Sequence, residues 1–300
     1  GTQSVILNPD PQIGNNLFEI INIIDNNGCI GYINTSADIL VRELPDLDIT
    51  ISGNNPICNN DISSLSFPVL AGTAPFNLSI MEGSTLSTLN IDAAGMINGS
   101  SYEVSPSNTT DYSLISVTDA NGCFQNLSDS KTLIVNELPL VTINGTNEIC
   151  FEDITQIYFD FTAGLSPWTI SYDINTVPAT PFPLSNNFDS ISISPATTSV
   201  YTFNTVTDAN NCITNLLESE TITVNQLPEV IISGGGEICD NGSTVDVIIN
   251  TINGTPTFNI EYTVGISEYI ASNIGYQHII NTNEAGTYTV NSITDSKGCI

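Results

Sequence analysis

The sequence predicts an all-β chain of tandem seven-stranded antiparallel sandwiches arranged head to tail, and three observations predict it. The first is a recurring string, aromatic-x-aliphatic-x-x-[Val/Ile]-x-Asp-x-x-x-Cys, at 18–29, 112–123, 201–212 and 288–299. Its aromatic residue (Phe18, Tyr112, Tyr201, Tyr288) stands 11 residues before its cysteine each time. The second is a pair of further anchors in register with it: a Leu-Pro step at Leu44-Pro45, Leu138-Pro139 and Leu227-Pro228, and an Ile-Cys step at Ile57-Cys58, Ile149-Cys150 and Ile238-Cys239. The third is the period: successive Asp-x-x-x-Cys cysteines lie 94, 89 and 87 residues apart. That is too long for a solenoid repeat and matches one sandwich domain of about 100 residues.

These anchors divide the chain into a partial module at 1–44, complete modules at 45–138 and 139–227, and a module at 228–300 that lacks its last strand. A sandwich without an edge strand exposes core and backbone, so the chain is read as a window in a longer array.

Module 139–227 shows the elements most clearly. Residues 141–145 form the first strand, which the Ile-Cys step ends. Residues 154–163 alternate apolar and polar, as a half-buried strand does. Gly164, Leu165, Ser166 and Pro167 turn the chain, and 168–174 is the third strand. A Pro-rich variable stretch runs to Asn187. Two further strands follow at 190–194 and 201–207, the Asp208 turn reverses the chain, and 218–225 closes the module. Seven short β segments without helical periodicity read as an immunoglobulin-like sandwich.

The other modules repeat the details. Gly72-x-x-Pro75-Phe76 and Gly254-x-x-x-Phe258 match Gly164-x-x-Pro167-Trp168. Phe76, Trp168 and Phe258 then open the third strand as core anchors. Phe18, Tyr112, Tyr201 and Tyr288 start the sixth, where a tyrosine corner belongs. Carbohydrate stacking by Trp168 is the sharper alternative to a core role.

The combination of the Leu-Pro and Ile-Cys steps, Gly-x-x-Pro-Trp, the Val-Thr-Asp-Ala-Asn-x-Cys string and a closing Thr-Ile-Thr-Val-Asn strand resembles the Ig-like or PKD-like tandem repeats of giant type IX-secreted bacterial surface proteins. The SprB-type gliding-motility adhesins are among them. The resemblance covers the whole chain. It implies secretion to the cell surface, a repetitive stalk, and a part in adhesion or gliding.

Composition narrows the function classes. Three Lys+Arg against 32 Asp+Glu give a net charge of −29, which repels nucleic acid and anionic lipid. No apolar run approaches the roughly 20 residues of a membrane helix. His278 is the single histidine and lies in a variable segment, and no metal, nucleotide or nucleophile motif occurs, so the chain is read as no enzyme. No cofactor is called for. Calcium is the one ligand left open, at Asp25, Asp119, Asp208 and Asp295, which share one slot in every repeat. A lone Asp there otherwise makes an Asx-turn. Lys131 and Lys297 stand at different repeat positions, against an isopeptide crosslink. Asn-x-Ser/Thr sequons at Asn34, Asn77, Asn98, Asn108, Asn126, Asn144, Asn241 and Asn253, and the Asp189-Ser190-Ile191 string, are candidate glycosylation points.

Secretion would oxidise the cysteines. Pairing within a module would join Cys58 with Cys123, Cys150 with Cys212 and Cys239 with Cys299. Topology favours a second scheme. The Ile-Cys step lies at the end of the module where the chain exits and the Asp-x-x-x-Cys turn at the opposite end, a sandwich length away. A disulfide needs Cα atoms within about 7 Å. In a head-to-tail array the exit end of one module meets the opposite end of the next. Cys58 is then expected to meet Cys212 and Cys150 to meet Cys299, leaving Cys29, Cys123 and Cys239.

The expected function is a structural stalk segment of an extracellular, repetitive cell-surface adhesin or filament. Its partners would be neighbouring modules, other filament subunits and surface glycans, with no nucleic acid and no membrane insertion. The alternative is a glycan- or partner-binding array acting through the variable segments 83–100, 174–188 and 263–282. The stalk is favoured because a Pro-stiffened step, not a Gly/Ser spacer, joins the modules.

Overall fold

The computed structural model describes residues 12–239 and 241–300; within them every regular element is a β-strand. The chain divides into two compact units, 1–136 and 137–300.

In the second unit, residues 139–227 form an immunoglobulin-like sandwich. One sheet pairs Leu140–Gly145 with Thr155–Ala163 and that strand with Phe188–Ile193, all antiparallel. The alternation of Thr155–Ala163 drives Ile157, Phe159 and Phe161 inward. The facing sheet has Trp168–Ile174 beside Ser199–Thr207, which pairs in turn with Ile213–Asn225. Ile170, Phe203, Val206, Ile222 and Val224 close the core from that side.

Three details depart from the sequence reading. The Ile-Cys step is not the end of the first strand. It belongs to a separate short strand, Glu148–Cys150, that crosses to the other sheet and pairs in parallel with the end of Ile213–Asn225. The last strand starts at Ile213 instead of 218, because a register shift between Phe203 and Thr205 lets it continue past the bulge. The variable stretch holds two short strands, Val177–Pro178 and Phe182–Leu184, both against Trp168–Ile174.

Residues 228–300 repeat the plan with Glu229–Gly234, Val245–Ile252 and Gln277–Thr282 in one sheet, and Ser267–Ile274, Phe258–Val264 and Tyr288–Thr294 in the other. Here, among the described residues, Tyr288–Thr294 pairs with Phe258–Val264 alone. Among the described residues no strand pairs with its other edge, the position that Ile213–Asn225 takes beside Ser199–Thr207 in the preceding sandwich. The core is correspondingly small, centred on Ile249, Phe258, Ile260 and Ile293.

The first unit holds a third sandwich, with Phe76–Glu82 between Thr85–Ile91 and Thr110–Thr118, and Ile57–Cys58 parallel to Val135–Asn136. Leu47, Ile49, Leu65, Phe67 and Leu114 fill its core. The same unit carries a hairpin, Gly14–Ile24 with Ile30–Val41. Leu17, Ile21, Ile23, Tyr32 and Ile39 are exposed on it. Phe18, expected as a core anchor, is only half-buried. The reason is architectural: among the described residues no second sheet covers this two-stranded one.

The repeat anchors touch one another. Gly164 has φ +88° and lies where a Cβ would come 2.7 Å from the Pro139 Cα and 3.1 Å from the Trp168 ring nitrogen. Gly72 stands likewise against Pro45 and Phe76, and Gly254 against Pro228 and Phe258. The Leu-Pro step, the glycine and the bulky residue are thus one packing unit, and only glycine allows that approach.

Candidate functional site: a disulfide-stapled joint

The residues with the most specific geometry gather where the 139–227 sandwich meets the 228–300 sandwich. They build from a turn. Asp295 Oδ1 accepts hydrogen bonds from the backbone N–H groups of Lys297 and Cys299, each at 2.9 Å, and Oδ2 accepts from Thr255 N–H at 2.8 Å. One buried carboxylate therefore shapes the turn and ties it to the loop before the third strand.

The same clip recurs. Asp208 accepts from Asn210, Cys212 and Leu165 N–H, and Asp119 from Asn121, Cys123 and Thr73 N–H. Asp25 accepts from Asn27 and Cys29 N–H. Burial pushes the Asp119 carboxyl pKa up, but the N–H donors of Cys123, Asn121 and Thr73 and the Asn121 amide outweigh it and hold it below the ordinary value. At all four candidate calcium positions Oδ1 takes backbone N–H donors, and at Asp119, Asp208 and Asp295 so does Oδ2; N–H donors repel a cation. Among the described residues no three His, Cys, Asp or Glu side chains gather as a metal site.

The turn delivers Cys299 to Cys150. The two form a disulfide with Cα atoms 5.5 Å apart, closing a sequence separation of 149 residues. Cys150 is placed by the parallel strand Glu148–Cys150, by its N–H donated to Asp153 Oδ2 at 3.2 Å, and by Phe151 N–H donated to the Asn225 carbonyl. Beside the disulfide, Lys297 Nζ lies 2.7 Å from Glu148 Oε1, and the Asn225 amide donates to the same oxygen at 3.0 Å. The Lys297 ammonium, then the Asn225 amide, hold the Glu148 carboxyl below its ordinary pKa. Three residues, 226–228, connect the strand ending at Asn225 with the one starting at Glu229.

The within-module pairs are not formed. Cys150 lies opposite Asn225, whereas Cys212 precedes Ile213 at the other end of the same strand. Thirteen residues at ~3.3 Å each separate them by roughly 40 Å, far beyond disulfide reach. Cys299 is taken by Cys150, so Cys239 does not hold it. Cys58 and Cys212 are both disulfide-bonded. Cys123 is free and half-buried, and Cys29 and Cys239 are free and exposed.

Other candidates fall into place. Trp168 is 2% exposed and stacked on Phe161 at 4.2 Å between ring centroids. Sugar stacking by Trp168 is therefore excluded, because its faces are spent in the core. Phe76, Phe258, Tyr112 and Tyr201 are buried. Tyr288 is half-buried, its hydroxyl donating to Thr282 Oγ1 at 2.8 Å. Burial, then the Glu82 charge, raises the Tyr112 pKa. His278 sits in Gln277–Thr282 opposite Ile249. Lys131 pairs with Asp129 at 3.1 Å. Asp189 accepts from Ser190 N–H and the Asn186 amide. Sequence reading missed Glu148 and Lys297 as joint residues. The available signals were the repeated Glu-Ile-Cys at 148–150 and 237–239 and the scarcity of cations, but neither says which charge meets which.

No protein-family model matches the chain. It is 23% identical over 301 residues to nucleoporin POM152 of Saccharomyces cerevisiae, covering 85% of this chain and 22% of that protein. The chain thus spans about a fifth of that relative's length. Among solved structures it is similar to a marsupial T cell receptor (TM-score 0.40, 10% identity, 82% of this chain and 99% of that one). It is also similar to the eight N-terminal Ig domains of Down syndrome cell adhesion molecule (TM-score 0.34, 12% identity, 87% of this chain and 42% of that one).

Proposed function

We propose that the chain is a non-enzymatic structural stalk segment of a long, repetitive cell-surface adhesin or filament that serves adhesion or gliding motility. In this reading its modules are 45–138 and 139–227, flanked by partial ones at 1–44 and 228–300. It is exported by type IX secretion, works outside the cell, and has neighbouring modules, further filament subunits and surface glycans as partners. The observation that carries the reading is the joint. Three connecting residues, a disulfide and an ion pair fix one sandwich on the next. Such stapling gives a stalk stiffness. A disulfide also suits an oxidising compartment, and no helix among the described residues is long and apolar enough to cross a membrane.

Small-angle scattering of the oxidised chain and of a C150S/C299S variant tests this. A narrow distribution of maximum dimensions in the first, broadened in the second, is expected. Equal breadth in both would remove the mechanical reading.

A second reading, a glycan-binding array, has one observation in its favour. Tyr158 and Phe188 stack at 5.7 Å and 16° with both rings exposed, Phe188 closing the variable segment 174–188. Loss of retention on a polysaccharide column in Phe188→Ala would support it.

A further inference from the structure

The strands Phe76–Glu82, Trp168–Ile174 and Phe258–Val264 occupy one place in the three sandwiches, but their last residues differ in kind. Ile174 pairs with Tyr201 and Val264 with Tyr288, whereas Glu82 pairs with Tyr112. The facing sheet changes in step. Leu65, Ile157 and Val247 each stand seven residues before the repeat glycine. Ile157 lies opposite Ile191 and Val247 opposite Ile280, but Leu65 lies opposite Tyr102. Two aliphatic positions of the repeat are thus a carboxylate and a phenol in the 45–138 sandwich, and Tyr102 donates its hydroxyl to Glu82 Oε1 at 2.8 Å.

Glu82, Tyr102 and Tyr112 line a cleft of about 480 Å³, with Glu103 and Asn108 beside them. Tyr112 is 2% exposed, and among the described residues its hydroxyl has no hydrogen-bond partner. Burial, then the Glu82 charge, raises its pKa, which sets the phenol oxygen near the carboxylate. Burial, then the hydrogen bond to Glu82, pushes Tyr102 up to about 12, so it stays a neutral donor. Glu82 Oε2 receives no donor among the described residues. The cleft therefore offers acceptors: a carboxylate oxygen, a phenol oxygen, and the exposed carboxylate of Glu103. Among the described residues no Lys or Arg lines it. Lys131, across the strand from Tyr112, is bonded to Asp129.

We propose that this cleft binds an aliphatic primary ammonium group, as carried by a lysine side chain of a partner protein or by a free polyamine. An ammonium has donors only, which match a cleft of acceptors, and its hydrogen bonds to carboxylate are charge-assisted and strong. A second copy of this chain is a poor source: its lysines are Lys131 and Lys297, and both pair with carboxylates of their own chain. The other two sandwiches, with Ile174 and Val264 in the place of Glu82, carry no carboxylate there.

The cleft is separate from the joint, so its failure leaves the stalk reading untouched. Saturation-transfer NMR on the full chain tests it, at about 0.15 M salt to screen general attraction to the acidic surface. The probes are the methylamide of Nα-acetyl-lysine, cadaverine, and the methylamide of Nα-acetyl-norleucine as the uncharged control. Binding of an amine without binding of the norleucine control is expected. The lysine amide alone makes a partner protein the source, cadaverine alone a free polyamine, and both together support the site. Glu82→Gln, which alters the net charge of −29 by a single unit, should weaken binding about tenfold, the loss of one hydrogen bond to a charged group. Tyr112→Phe keeps the core volume and should weaken it severalfold, and it carries the test if Glu82→Gln fails to fold by circular dichroism. Binding of neither amine, equal binding of the norleucine amide, or undiminished binding in a folded Glu82→Gln would each overturn the proposal.

Discussion

At the scale of single residues, the burdens fall on a few side chains with unusual surroundings. Trp168 is the clearest: buried, stacked on Phe161, with a ring nitrogen that has no hydrogen-bond partner. Trp168→Ala is expected to cost about 3–5 kcal/mol, the range for deleting a large core aromatic. Urea denaturation followed by backbone circular dichroism measures it, and a loss below 1 kcal/mol would mean the cavity collapses freely. Gly164→Ala should also destabilise, because its Cβ would enter the Pro139 ring region and its φ is left-handed.

The Asp119 clip makes a pH prediction. Its folded pKa lies below the ordinary value, so the folded state favours the charged carboxylate. The stability this contributes is present above the unfolded pKa of about 3.9 and is lost as pH falls through the folded value. Asp119→Asn should therefore flatten the acid side of the stability profile of the first unit while lowering stability at neutral pH. A variant as steeply acid-sensitive as the parent would assign the loss to other carboxylates.

At the scale of elements, the contrast lies between covered and uncovered sheets. Thr155–Ala163 is flanked by strands on both sides and faces a full core, whereas among the described residues Gly14–Ile24 and Ile30–Val41 pair only with each other. A two-stranded hairpin is marginal by itself in water. Hydrogen exchange is expected to be fast across 14–41 and slow across 155–163. Equal protection would show that the hairpin is covered in solution, for instance by another chain. The strand Tyr288–Thr294, which among the described residues pairs along one edge, should rank between them.

At the scale of the whole molecule, crosslinks and charge dominate. The Cys150–Cys299 disulfide closes a loop of separation 149. Its removal in C150S/C299S is expected to cost about 2–5 kcal/mol by the loop-entropy argument, seen as earlier melting of the small-core 228–300 sandwich in calorimetry. Calcium and EDTA should leave the melt unchanged to within a few degrees, since the aspartates are spent on backbone donors. A shift above roughly 10 °C, more than a kcal/mol moves a domain of this size, would reopen a metal role.

The sequence by itself determined the all-β class, the strand pattern, the period and the packing anchors, because each is written in local chemistry. Alternation places Ile157, Phe159 and Phe161 inward. The Asp-x-x-x-Cys turn is shaped by one carboxylate acting within five residues. The glycine before Trp168 is required wherever Pro139 must come close. Tertiary structure alone decided the rest. It carried Glu148–Cys150 across to the opposite sheet, buried Trp168 beyond reach of a sugar, left Phe18 without a facing sheet, and set Lys297 on Glu148. Those outcomes depend on which distant segments meet. Strand alternation and turn chemistry say which way a side chain faces, but not what stands opposite it.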